Sequence, residues 1–210
     1  MKLYLFEHCP FCARVRLAFG LKQIPYDAEI VMDDDAETPT RLVGRKSVPI
    51  LRRQDGSHMA ESLDIVQYLD TISVPMFDGP HDERLDAWGE EAWSLALKLF
   101  IPRFVEADFA EIATPEARDH FRSREEAALG DLASLHEATL TLVEAMKPRL
   151  AALDAILETA NGTGISDLKL WPILRSLSIV APLPFPRHVR RYVDELSRRS
   201  GVPTLFHQAR

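Results

Sequence analysis

The apolar pattern of this 210-residue chain changes its period once, and that change limits the fold more than any other feature. Up to residue 72, short runs of strand formers alternate with helical spacing. Leu3 to Phe6 reads as a strand, and Val15, Leu17, Ala18 and Leu21 then mark a helix closed by Gly20 and Pro25. Tyr26 to Met32 offers a second strand. Thr38-Pro39 supplies a helix cap followed by proline at the first helical position, and Gly44 suits the stop. Val48 to Leu51 and His58 to Ala60 flank Gln54-Asp55-Gly56-Ser57, a hairpin signal, before Leu63, Ile65, Val66, Leu69 and Ile72 mark another helix from Glu61 on. The order is βαβαββα, an α/β unit that ends in an antiparallel hairpin.

Val74-Pro75-Met76-Phe77-Asp78-Gly79-Pro80 then breaks all periodicity, and beyond it every apolar pattern is helical. Leu85, Trp88, Ala92, Leu95 and Leu99 form one stripe, and Thr114-Pro115 starts another helix. Leu150, Leu153, Ile156 and Leu157 form a third; Val189, Tyr192, Val193 and Leu196 follow Pro186 and end at Gly201. Pro148 interrupts an expected helix, so a helix boundary is open there. The expected architecture is a small α/β domain over 1–72, a linker over 73–82 and an all-helical domain over 83–210.

The chemistry is concentrated in Cys9-Pro10-Phe11-Cys12, between the first strand and the first helix. Two cysteines placed at random over a chain of this length fall three apart only about 1% of the time, so coincidence explains the C-x-x-C pair poorly. A thiol at a helix N-terminus meets unpaired backbone N–H groups and the positive end of the macrodipole, both of which favour thiolate. Pro10 loses no hydrogen bond in the first turn. Cys12 lies one turn deeper, within disulfide reach and less accessible, which makes Cys9 the attacking sulfur and Cys12 its resolving partner. The rival readings are half of a zinc site or a passive disulfide. Zinc needs about four ligands, and no second C-x-x-C and no H-x-x-x-H completes such a set. No metal is expected. His8 precedes the nucleophile, where a cationic form would favour the thiolate, but an exposed bystander is the commoner outcome at such a position. Phe11 could lie against a substrate or pack locally.

With 25 Lys and Arg against 32 Asp and Glu, the formal charge is −7, which argues against nucleic-acid or anionic-membrane partners. The basic cluster at Arg187, Arg190, Arg191, Arg198 and Arg199 reads as a solvated face. The N-terminal stretch lacks the long apolar region and cleavage site of a secretory signal, and no run reaches the roughly 18 apolar residues of a membrane span. A soluble, cytoplasmic protein is expected, where a disulfide is more often catalytic than structural.

Cys9-Pro10-Phe11-Cys12, Ser47-Val48-Pro49-Ile50 and Glu61-Ser62 resemble the thioredoxin-fold domain of glutaredoxins and glutathione transferases. The run from Asp34 to Arg41, Ile101-Pro102-Arg103-Phe104 and Leu170-Trp171-Pro172-Ile173-Leu174-Arg175 resemble more closely the bacterial glutaredoxin 2 family, whose helical second domain is glutathione-transferase-like. The resemblance implies a glutathione-dependent thiol–disulfide oxidoreductase with glutathione as reductant, held by Cys9, Pro10, Phe11, Val48, Pro49, Glu61 and Ser62. It acts on protein disulfides and glutathionylated proteins, and a monomer is expected. In this reading Pro49 is a cis-proline facing the CPFC loop, although cis is only about 5–6% of X–Pro bonds and the sequence alone would not support it. Val48 offers its backbone to the cysteinyl part of glutathione, and Glu61 and Ser62 bind its γ-glutamyl end. Read as residues only, Glu61 and Ser62 are equally well a helix cap. The family's capping motif in the second domain usually has Ser or Thr three residues before its Asp, whereas Gly164 stands before Asp167, so that helix is expected to begin differently. Two functional alternatives share this fold. One is a glutathione transferase acting on electrophiles; the other is a non-catalytic interaction protein, such as a transcription-associated factor. The dithiol pair disfavours both.

Overall fold

In a computed structural model that describes residues 1–79, 81–160 and 163–210, a four-stranded sheet is followed by a helical layer. Pro80, in the expected linker, lies outside the described residues. β1 (Lys2–Leu5) pairs in parallel with β2 (Asp27–Ile30) and antiparallel with β3 (Ile50–Arg52), which pairs antiparallel with β4 (His58–Met59), giving the order β2-β1-β3-β4. β2 reaches β1 through α1 (Pro10–Leu21), the crossover that a parallel pair requires. The β3–β4 hairpin turns at Asp55-Gly56 as its sequence predicts, with Gly56 at φ +84° and Asp55 Oδ1 accepting the Ser57 N–H at 2.9 Å.

α2 (Glu37–Val43) starts before the expected Thr38 cap. The Asp35 carboxylate accepts the Thr38 N–H at 2.9 Å, so an Asp one turn earlier supplies the acceptor that Thr38 was expected to provide. Gly44 ends α2 at φ +79°. α3 (Ser62–Thr71) completes the first unit.

α4 (Glu83–Phe104), α5 (Pro115–Leu129), α6 (Leu132–Glu137), α7 (Thr139–Thr159), α8 (Ile165–Leu177) and α9 (Arg187–Ser200) make up the helical part, with a 3₁₀ turn at Ala110–Ile112. Thr114 caps α5 as expected, its Oγ1 accepting the Ala117 N–H at 3.1 Å, and Gly201 ends α9 at φ +72°. The five arginines of the basic cluster are exposed on α9 and its flank. α8 starts at Gly164 with half a capping box. Asp167 accepts the Gly164 N–H at 2.7 Å, and glycine has no side chain to return the bond. α7 runs through Pro148 without a boundary, because Met146, Leu150 and Leu153 on either side of it are fully buried and their packing outweighs the lost hydrogen bond.

One apolar cluster is confined to the helical part, around Phe100, Phe104, Leu150 and Leu174. A second joins the sheet to the helices, and a small third one gathers Tyr4, Phe6, Val31 and Ile50. In the second, Leu3, Leu5, Leu17, Phe19 and Ile65 pack with Leu168 and Trp171 of α8 and Leu196 of α9. α1 therefore lies between the sheet and the second layer, and Gly20 is where it meets α9 most closely. A Cβ there would stand 2.0 Å from the backbone oxygen of Ser200.

Candidate redox site at the start of helix α1

β1 delivers the chain to the site, and Cys9 occupies the N-cap of α1 with an extended backbone (φ −64°, ψ 123°). Pro10 fills the first helical position, and the Cys9 carbonyl accepts the Ala13 N–H at 2.9 Å. Both cysteines are free. Cys9 is half-buried and faces a cleft, whereas Cys12 is 0% exposed. A hydrogen bond from the Cys12 thiol, the positive charge of His8 and the backbone N–H groups of Cys12 and Phe11 lower the Cys9 pKa to about 7, against the opposing effect of burial. Burial, followed by the hydrogen bond and the charge of Cys9, pushes Cys12 well up. One sulfur is thus set for attack and its neighbour stays protonated. The Phe6 N–H donates to Cys12 Sγ at 3.5 Å and anchors the deeper thiol.

His8 overturns the expectation of an exposed bystander. It is only 5% exposed, and its backbone N–H donates to Glu111 Oε1 at 2.8 Å while its Nδ1 lies 2.6 Å from the same oxygen. Phe121 meets the His8 ring edge-on at 4.8 Å between centroids, and Phe6 stacks on it at 5.5 Å. The residue is buried because the 3₁₀ turn brings a carboxylate to it from the other half of the chain, a pairing that local sequence does not encode.

The opposite wall is built from the turn before β3 and the start of α3. The Val48–Pro49 peptide is cis. Glu61 precedes α3 at φ +66°, a conformation L residues rarely adopt, and its side chain makes no capping bond. It pairs instead with Arg45, and both side chains are largely exposed. Ser62 is buried and its Oγ accepts from Arg14 Nη1 at 2.8 Å. Arg14 was missed at the sequence level, yet its role has a readable cause. Pro172 inside α8 has no N–H for the Leu168 carbonyl one turn back, and Arg14 Nε donates to that oxygen at 3.1 Å. One guanidinium therefore joins α1, α3 and α8 at the edge of the site.

The cleft in front of Cys9 holds about 340 Å³ between the two halves, with Phe6 and Val48 on one side and Trp93, Leu97 and Phe100 of α4 on the other. A cavity of about 460 Å³ borders it, lined by Phe11, Arg14, Val48, Pro49, Glu61 and Ser62. Phe11 is 44% exposed, 6.0 Å from the Trp93 ring, and stands where the two spaces meet. Arg124 lines the cleft and donates through Nη1 at 2.7 Å to the fully buried Asp33, which also pairs with His120 Nδ1 at 2.8 Å, again across the two halves. Among the described residues, no group of three or more His, Cys, Asp or Glu is placed to hold a metal, and no helix is long and apolar enough to cross a membrane.

Residues 84–209 match the family model described as the glutaredoxin 2 C-terminal domain, and residues 8–72 match that of the glutathione S-transferase N-terminal domain. Glutaredoxin 2 of Escherichia coli K12 is 37% identical over 214 residues, with all of both chains covered. Among solved structures, glutaredoxin 2 of Salmonella typhimurium in complex with glutathione aligns at a TM-score of 0.96 and 33% identity, covering 100% of this chain and 98% of that one. A glutathione transferase of Phanerochaete chrysosporium aligns at 0.65 and 16% identity, covering 95% and 97% of the two chains, which bears on the fold alone.

Proposed function

Because this chain belongs to the glutaredoxin 2 family, we propose that it reduces protein disulfides and glutathione mixed disulfides through Cys9 and Cys12, with glutathione as the reductant. The observation that carries this reading is the division between the two thiols. A half-buried sulfur with a lowered pKa faces a cleft, and a buried, protonated one lies behind it. Residues 1–72 supply the chemistry, 83–210 close the cleft, and 73–82 join them.

In the first step the Cys9 thiolate attacks one sulfur of the substrate disulfide. The S–S bond breaks, the leaving sulfur takes a proton and departs as thiol, and Cys9 is left in a mixed disulfide. In the dithiol route Cys12 gives up its proton and attacks Cys9 Sγ, which releases the second substrate thiol and forms the Cys9–Cys12 disulfide. Two glutathione molecules then restore both thiols and leave as glutathione disulfide. When the mixed disulfide on Cys9 is with glutathione itself, a second glutathione resolves it without Cys12. In either case one disulfide is reduced and one glutathione disulfide formed.

The cavity beside Cys9 fits the glutathionyl group. The Val48 backbone, set by the cis bond, pairs with the cysteinyl part, and the N-terminus of α3 at Ser62 receives the γ-glutamyl carboxylate. Glu61 meets the ligand ammonium by exchanging its exposed contact with Arg45. Glu61→Ala is therefore expected to raise the glutathione concentration for half-maximal rate by roughly tenfold, the effect of losing one charged hydrogen bond. Its melting temperature should stay within about a degree or two, because an exposed ion pair contributes little to stability. Lost stability with unchanged glutathione dependence would remove Glu61 from the site. The function as a whole is tested by running glutathione-coupled reduction of a small disulfide beside glutathione conjugation to an aryl halide. Reduction should dominate; dominant conjugation would make the chain a transferase.

A further inference from the structure

Nothing in the dithiol reaction itself accounts for a fully buried carboxylate contributed by the helical half and directed at the residue before the nucleophile. Glu111 is 0% exposed, and its Oε1 takes both the backbone N–H and the Nδ1 side of His8. Its Oε2 has no hydrogen-bond partner among the described residues. An ionised carboxylate in such a place is tolerable only beside a positive charge, and the aromatic rings of Phe6, Phe104, Phe109 and Phe121 around the imidazole leave His8 as the one cation bonded to it. The carboxylate thus fixes the orientation of the His8 ring next to Cys9.

We propose that Glu111 is a positioning residue of the redox centre, holding the His8 ring where its positive charge stabilises the Cys9 thiolate. This rests on the reading of Cys9 as nucleophile. The charges agree with it: His8 lowers Cys9, and Glu111 raises Cys12. The other cations that feel the Cys9 charge are Arg14 of α1 and Arg175 of α8; Arg175 also feels the charges of Glu111, Glu7 and Arg16, but its hydrogen bond goes to the Pro203 carbonyl, and neither arginine is bonded to Glu111. The second domain then tunes the chemistry of the first besides covering it.

The test is the pH dependence of alkylation in the full chain with both cysteines present, with the Cys9 adduct resolved by peptide mass. Wild type should show a half-point for Cys9 near 7. Glu111→Gln keeps the size and the acceptor but removes the charge that favours a cation at His8, and the Cys9 half-point should rise by about one unit, which slows alkylation at pH 6 about tenfold. Glu111→Asp should restore most of the shift. His8→Phe should raise the half-point as Glu111→Gln does, and the double variant should go no further, since both act through one charge. Should Glu111→Gln fail to fold, the Asp and Phe variants decide alone. A wild-type half-point in Glu111→Gln with only a lower melting temperature would show a structural role and overturn the proposal, as would a fall. If wild-type Cys9 itself titrates at or above the ordinary thiol value of about 8.5, the activated nucleophile fails first, independently of any variant.

Discussion

Cys9→Ser is expected to abolish both glutathione mixed-disulfide and protein-disulfide reduction, whereas Cys12→Ser is expected to lose only the second. A serine hydroxyl stays protonated at neutral pH and does not attack sulfur, so the expected loss for Cys9→Ser is at least about a thousandfold, to the uncatalysed background. In the proposed reaction Cys12 acts only after a mixed disulfide exists on Cys9, and glutathione replaces it there. Its burial also means that Ser in its place meets the same Phe6 N–H in nearly the same volume, so the fold is retained. Turnover of a glutathionylated peptide and of a protein disulfide, each coupled to glutathione oxidation, separates the two variants. Normal turnover by Cys9→Ser on either substrate would mean that the nucleophile lies elsewhere.

What could be read from the sequence divides by the range of the interaction involved. The Asp55-Gly56 hairpin, the Thr114-Pro115 helix start and the Gly44 and Gly201 stops follow from local backbone chemistry, and each stands where the residues place it. The C-x-x-C pair at a strand–helix junction is local too, and its spacing alone places Cys12 deeper than Cys9. Local reading failed where a partner arrives from far along the chain. His8 is buried by a carboxylate 103 positions away, and Arg14 is held by a carbonyl 154 positions away. Only the second left a trace, since a proline inside a helix always frees a carbonyl one turn earlier. Pro148 shows the limit of that signal, because the same residue type that suggested a boundary sits in an unbroken α7. Trp93 and Arg124, which line the cleft, carried no local signal.

Gly20→Ala is the substitution for which helix propensity and packing predict opposite signs. Gly20 lies within the last turn of α1 at an ordinary negative φ, where exchange for Ala would stabilise a helix by up to about 1 kcal/mol. The Cβ, however, would be 2.0 Å from the Ser200 oxygen and 2.6 Å from its carbonyl carbon, and these are backbone atoms at the end of α9 that cannot rotate away. α1 and α9 must separate, loosening Phe19, Leu196 and Val202 in the shared core. Overpacking of this kind typically costs about 1–3 kcal/mol, and more where both partners are main chain. For a chain of this size that lowers the melting temperature by about 2–12 °C, since each kcal/mol shifts it by roughly 2–4 °C. Gly89→Ala, inside α4, is the control: the nearest atom to its Cβ is the flexible Ile173 Cδ1 at an ordinary 3.5 Å, so propensity alone acts and the melting temperature should not fall. Because α1 carries both cysteines at its other end, the Gly20 variant should still reduce disulfides at low temperature and lose activity as the α1–α9 contact melts. A rise in melting temperature for Gly20→Ala would show that propensity wins and that the two helices do not approach this closely.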